Sequence, residues 1–368
     1  MTDQALQALA RVLIDYSLNV KPGEVVLISG APVSEPLLVA LFQQILNVGG
    51  VGAVRLTGEV CRQATLDFSG SDRARYVNPL GLEQGHAIDC SIGIWSVIDD
   101  PPPDHDQSIA ELPPDGKDLI EHVSSGPFRW VATEYPTLAA ARTAGMSLKE
   151  YSDYLSLAGL LDSPNPLAAW RAIHDRQQRL CEFFQRAREM RIATAHGTDL
   201  TLGIAGRPWF NADGHFNFPD GEVCTAPIED AVNGVICGSF PVVHHSQRIE
   251  ESRLKFKDGQ VVDAAARQGE QFLFEILDCD PGARRIGELA LGTNYNITRY
   301  TGTLLLDEKM GGTCHLALGA AVPQVGGNNR SAIHTDIVCD LHHGGWVEID
   351  GQIISRDGRF APSIWPSR

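Results

Sequence analysis

Five side chains in the last third of the chain are of the types that bind divalent cations: Glu222, Glu288, His315, His334 and Asp336. Carboxylate oxygen and imidazole nitrogen are ordinary ligands for zinc and its neighbours in the first transition row. Two imidazoles and three carboxylates suit two ions better than one. Two closely spaced ions can activate a water for attack on a carbonyl, so convergence of the five would point to hydrolysis. Each lies in a short segment rich in glycine, small residues and strand formers. These are Pro219-Asp220-Gly221-Glu222-Val223, Gly287-Glu288-Leu289-Ala290-Leu291-Gly292, Gly311 to Gly319 around His315, and His334-Thr335-Asp336.

Taken singly, the five differ in weight. His334 and Asp336 are two apart, so in a strand they share a face, as two ligands of one ion must. A solvent-facing polar pair on a half-buried strand has the same pattern. Glu222 follows a Pro-Asp-Gly turn, where a carboxylate is often simply solvated. Glu288 stands among Ile286, Leu289, Ala290, Leu291 and two glycines, a setting that implies burial. A buried carboxylate needs a partner, and a cation serves. His315, between Gly311-Gly312 and Leu316-Ala317-Leu318-Gly319, would by itself be read as a core histidine.

The elements that position these residues fall into two textures. In the first half, apolar spacing of helical period runs from Leu6 to Leu18, with Leu9, Val12, Leu13 and Tyr16 on one side. Val25–Gly30 is a short apolar run of the kind seen in buried parallel strands. A helix from Glu35 to Val48 ends at Gly49-Gly50. Ala53–Leu56, Ile88–Trp95 and Arg129–Thr133 continue the strand pattern. Strands alternating with helices imply a parallel sheet covered by helices. The Gly-x-Gly-x-x-Gly fingerprint of a dinucleotide site is missing after Val25–Gly30. Asp99–Asp106, with Pro101 to Pro103 and His105, reads as a loop. A long helix from Pro166 to Glu189 bridges the halves. Beyond it, Arg191–Ala195 and Leu200–Ile204 read as strands. Asp258-Gly259 and Asp350-Gly351 sit between strand-like runs and predict tight hairpins. A helix is expected over Asp263–Leu277. The reading is α/β, an N-terminal α/β domain (1–185) with a parallel sheet and a C-terminal mixed α+β metal-binding domain (186–368).

Composition narrows the function classes. The 368 residues carry 30 basic and 46 acidic side chains, a net charge of −16. Such a surface offers no basic stripe for nucleic acid. No apolar run is long enough to span a bilayer, and the acidic N-terminus is not a secretory signal. The eight cysteines, Cys61, Cys90, Cys181, Cys224, Cys237, Cys279, Cys314 and Cys339, include no Cys-x-x-Cys pair. They read as reduced, packed thiols, which implies the cytoplasm.

Four blocks together resemble the thermophilic metalloaminopeptidase family (aminopeptidase T, leucyl aminopeptidase-like). They are Asn217–Val223, Gly282–Asn294, Leu306–Gly319 and Asn329–Asp336. The resemblance implies an N-terminal α/β domain, a C-terminal metal-binding domain and a homodimer. It implies a metal-dependent aminopeptidase acting on a peptide or small amide. Two divalent ions (zinc, cobalt, manganese or magnesium) would be held by Glu222, Glu288, His315, His334 and Asp336, with Glu288 expected to bridge and Glu308 a candidate general base. The family tyrosine seven residues after the position of His315 is here Val322, which can neither donate to an oxyanion nor ligate a metal. Tyr295 or Tyr300 could take its place. Cys224 also departs from the family. Two other readings of the same fold stay open: a ring-cleaving dihydroxypyridine dioxygenase with one ferrous ion, or a ligand-binding homologue without catalysis. Retention of both Glu222 and Glu288 favours the peptidase.

Overall fold

Val25–Gly30, an apolar run with no charge, becomes the second strand of a parallel sheet in the computed structural model, which describes residues 1–56, 88–97, 128–244 and 247–365. Cys61 and the loop Asp99–Asp106 with His105 lie outside the described residues. The sheet order is Val51–Leu56, Val25–Gly30, Cys90–Trp95, Arg129–Glu134 and Asn217–Phe218, and every pair is parallel. Val26, Ile28 and Ile92 are fully buried. Helix Asp3–Arg11 starts where Thr2 Oγ1 accepts from the Ala5 N–H, and the chain continues as a π-helical stretch, Val12–Ser17. Helix Glu35–Asn47 stops before Gly49, whose φ of +81° only glycine adopts easily. The chain clusters into two compact units, Met1–Trp170 with Gly214–Pro219, and Arg171–Asp213 with Asp220–Arg368.

The second unit contains two large antiparallel sheets. The eight-stranded sheet runs in the order Gln260–Ala265, Arg253–Lys257, Val232–Cys237, Asp199–Gly203, Glu189–Ala193, Trp346–Ile349, Gln352–Arg356 and Arg359–Phe360. Both expected hairpins form here. Asp258 and Gly259 (φ 49° and 77°) and Asp350 and Gly351 (φ 48° and 85°) take left-handed turn conformations, as type I′ turns require. The five-stranded sheet runs in the order His334–Asp340, Thr313–Gly319, Ile286–Gly292, Glu222–Thr225 and Phe210–Ala212. Apolar residues of both sheets join in one core that includes Leu254, Phe256, Val347, Leu289, Leu316 and Ile337.

Two helices are clearly shorter than the sequence reading expects, and several strand ends shift by one or two residues. The helix expected over Asp263–Leu277 covers only Glu270–Leu277. Asp263, Ala264 and Ala265 instead extend a strand, because they pair with Lys255, Leu254 and Arg253 across the hairpin. Gly269, at φ 75°, then opens the helix. The bridging helix ends at Phe184, and the next strand begins at Glu189.

Candidate metal centre

The strands Ile286–Gly292 and Thr313–Gly319 are buried at every position. Their residue types still alternate. Leu289 and Leu291, Cys314, Leu316 and Leu318, and Ile337 and Cys339 belong to the apolar core. The intervening positions face the other way. Across the sheet, Cys224 lies opposite Ala290, Ala290 opposite His315, and His315 opposite Val338. One step along, Glu288 lies opposite Ala317 and Ala317 opposite Asp336. His334 is opposite Gly319, and Glu222 opposite Gly292. One face therefore holds Glu222, Cys224, Glu288, His315, His334 and Asp336, separated by glycine and alanine. The small residues leave room between the ligating side chains. A bulge at Gly287 sets this register, and a Cβ there would fall 2.3 Å from the Gly319 carbonyl oxygen.

The five residues singled out in the sequence thus converge. His315 Nε2 is 3.7 Å from Glu222 Oε2 and 3.7 Å from Asp336 Oδ1. His334 Nε2 is 3.7 Å from that same Asp336 oxygen and 3.2 Å from Glu288 Oε2. The 3.7 Å separations are too long for hydrogen bonds. Glu222 Oε2, His315 Nδ1 and Asp336 Oδ1 are buried without a hydrogen-bond partner. Unsatisfied buried polar atoms are rare and costly, and Glu222 Oε2 and Asp336 Oδ1, each 3.7 Å from His315 Nε2, fit a shared cation. The oxygen common to both histidines is Asp336 Oδ1. Glu288, the bridging group that the family resemblance leads one to expect, has its Oε2 3.2 Å from His334 Nε2.

Supporting contacts fix the ligands. His334 Nδ1 lies 2.9 Å from the Ala320 carbonyl. A carbonyl only accepts, so Nδ1 carries a proton and the ring is held with Nε2 toward Asp336 and Glu288. The amide nitrogen of buried Gln177 sits 2.7 Å from the Glu222 carbonyl and 2.9 Å from that of Ala212, holding the start of the Glu222 strand. Burial works against charge on His334, but its bond to Glu288 and the charges of Asp336 and Glu288 outweigh it and lift its pKa to about 10. Burial likewise opposes ionisation of Glu288, yet His334 and the nearby cations bring it down to about 2.

Two groups here were not singled out in the sequence. Lys309 is buried, with Nζ 2.6 Å from Glu222 Oε1, 2.6 Å from Glu308 Oε1 and 3.9 Å from Asp220 Oδ1. Burial opposes its charge, but Glu222, Glu308 and Asp220 prevail and raise its pKa. Asp220, read as a turn residue, is 1% exposed. The available signal was a lone lysine beside a candidate acid in an otherwise apolar run, Leu304-Leu305-Leu306-Asp307-Glu308-Lys309-Met310. Glu308 follows the short helix Leu304–Asp307 and groups with His315 and Asp336. Cys224 groups with Glu222 and Glu288, and burial lifts its thiol well above the usual range.

A cleft reaches this face. It is lined by His334, Asp336, Asp307, Tyr300, Val242 and Val338, among others. Tyr300 is part of its wall, but its hydroxyl donates to the Pro241 carbonyl at 3.0 Å. The Tyr295 hydroxyl donates to the Gly358 carbonyl. Val322 packs against the small apolar cluster of Cys224, Ala226, Ala290 and Val325. Both tyrosine hydroxyls are thus engaged elsewhere, and the family tyrosine's position is filled by an apolar side chain.

A buried carboxylate–imidazole cluster on a mixed α/β fold is a build that many metalloproteins share. The chain belongs to the thermophilic metalloprotease family (M29), whose model matches residues 2–360. It is 31% identical over 230 residues to aminopeptidase 2 of Geobacillus stearothermophilus, covering 55% of this chain and 54% of that protein. It is 34% identical over 235 residues to aminopeptidase AmpS of Bacillus subtilis, with coverage of 55% and 54%. The matched stretch spans about half the length of these relatives. Among solved structures, AmpT from Thermus thermophilus aligns over 97% of this chain and 99% of its own, with a TM-score of 0.82 and 22% identity. The 2,5-dihydroxypyridine dioxygenase of Pseudomonas putida KT2440 aligns over 98% of both chains, with a TM-score of 0.60 and 12% identity. These structures share the fold.

Proposed function

We propose that this chain is a metal-dependent aminopeptidase that hydrolyses the N-terminal peptide bond, or a related amide bond, through water activated between two divalent ions. The observation that carries the reading is the convergence of His315 Nε2 and His334 Nε2 on Asp336 Oδ1, an oxygen buried with no hydrogen-bond partner. Glu222, His315 and Asp336 would hold one ion, and Glu288, His334 and Asp336 the other. Bound there, divalent ions supply an acidified water and polarise the scissile carbonyl. The protein's own groups do the rest. Ala320 holds the His334 ring with Nε2 inward. Asp336 lines the cleft and favours a substrate ammonium, while the carboxylate of Asp307 beside it is held by Thr301 and Gly302. Val242 and Val338 in the same cleft offer apolar contact to a side chain.

Glu308 is in place to take a proton near Asp336, although Lys309 holds one of its oxygens. The relatives' names, aminopeptidase 2 and AmpS, support the reaction class. A cytoplasmic homodimer is part of the same proposal. Among the described residues, no helix is long and apolar enough to cross a membrane. The dioxygenase reading is weaker, because a mononuclear iron site needs two histidines and one carboxylate, whereas here Glu222 and Glu288 are also turned to the site. The test is chelation and then readdition of zinc, cobalt or manganese, assayed on aminoacyl-nitroanilides. Activity that survives complete removal of metal would sink the proposal, and oxygen uptake with a dihydroxypyridine would replace it.

A further inference from the structure

Lys309 departs from what a metal centre needs of its ligands: it is a cation placed among them. A buried ammonium persists only with carboxylates in close contact. Lys309 has two at 2.6 Å, Glu222 Oε1 and Glu308 Oε1, and a third, Asp220 Oδ1, at 3.9 Å. Glu222 is thereby divided between two tasks. Its Oε1 is taken by the ammonium, while its Oε2 is unpartnered and turned to His315. The ammonium thus stands where a cation among carboxylates would, with two oxygens in contact and a third, held by the Gly221 N–H, further off.

We propose that Lys309 is a positioning residue that fills a third cation position and so fixes Glu222 to the metals through a single oxygen. The inference rests on the metal reading above. With Lys309 in place, Glu222 cannot close on an ion with both oxygens, and Glu308 is held beside the centre without entering it. A lysine side chain does this without exchange, so the third position stays filled whatever the metal supply.

The experiment compares divalent ions bound per chain, by elemental analysis after loading with manganese or cobalt and desalting, in the parent protein, Lys309→Ala and Lys309→Arg. The alanine variant should hold one more ion per chain than the parent. The arginine variant, which restores a tethered cation, should return to the parent count. Lys309→Met fills the same volume without charge and covers the case in which the alanine variant fails to fold. Its cobalt form should show an altered visible absorption spectrum as Glu222 gains a free second oxygen. A folded alanine variant with the parent count, or a methionine variant with the parent cobalt spectrum, would overturn the assignment of Lys309. A parent that binds no divalent ion would instead remove the metal reading on which it stands.

Discussion

The two large sheets of the second unit are both antiparallel, and they handle charge in opposite ways. In the eight-stranded sheet, Arg253–Lys257 alternates exposed and buried along the strand, and its charges meet water. Arg191 and Asp199 pair on its surface at 2.9 Å. In the five-stranded sheet, three strands are buried throughout, and the alternation is between bulky apolar residues and polar or small ones. A charge at an exposed strand position is solvated and contributes little. A charge at a buried position must find a counter-charge. One sheet therefore meets water with its charges, and the other gathers buried carboxylates that need counter-charges, Lys309 among them.

The largest test of that contrast compares a carboxylate from each sheet. If the proposed two-ion reading holds, Asp336→Asn should remove both ions, because both histidines share its Oδ1, and should lower aminopeptidase activity about 10³-fold or more, several kcal/mol of barrier. Asp199→Asn should leave metal content unchanged and shift stability by no more than about 0.5 kcal/mol. Elemental analysis and nitroanilide turnover read the first, and urea unfolding the second. Equal effects would erase the distinction between the sheets.

Packing should differ in the same direction. Leu316 is fully buried in the shared core, so Leu316→Ala should cost about 2–5 kcal/mol in urea unfolding. Lys255, exposed on the hairpin, should change stability by less than about 0.5 kcal/mol when replaced by alanine.

A smaller effect separates the two hairpins of the eight-stranded sheet. At Gly351 an added Cβ meets nothing within 4 Å, so Gly351→Ala carries only the backbone penalty of its positive φ, about 1 kcal/mol. At Gly259 the added Cβ would sit 1.8 Å from the Glu229 carbonyl oxygen. Gly259→Ala should therefore lower the thermal midpoint clearly further than Gly351→Ala. Matching midpoints would show that the turn, and not its surroundings, sets the penalty.

The smallest effect contrasts the core acids with Asp280, outside the sheet. Its carboxylate accepts from the Gly282, Ala283 and Ala332 N–H groups and from Ser331 Oγ. Burial pushes its pKa up, but these donors outweigh it and bring it below the ordinary 3.8. A depressed carboxylate stabilises the fold above its unfolded pKa, and that contribution is lost as pH falls through the folded value. Between pH 5 and pH 3 the parent should lose more stability than Asp280→Asn, by at most about 1 kcal/mol after solvent screening. Parallel losses in urea melts at the two pH values would show that these hydrogen bonds do not favour the ionised form.

Much of this was legible in the chain itself. The parallel strands followed from short apolar runs, and the hairpins from Asp-Gly, a pair that accepts two left-handed positions in succession at low cost. Glu288 was legible as buried from its apolar and glycine neighbours. Glu222 was not. Its turn suggested solvent, and its burial comes from Lys309, Gln177 and the neighbouring strands, none adjacent to it in the sequence. Asp263–Ala265 suited a helix locally and became strand because a hairpin partner supplied hydrogen bonds.

What the sequence determined by itself was the kind of chemistry. Residue types fixed two imidazoles and a surplus of carboxylates, and the Leu/small alternation of Gly287–Gly292 and Cys314–Gly319 fixed two faces for each strand. The tertiary structure decided which atoms meet. Strand register brought Asp336 Oδ1 within 3.7 Å of both histidines. The fold also placed Lys309 against Glu222, 87 residues away in sequence. Pairing between distant strands depends on turn geometry and a bulge, and no local spacing encodes it.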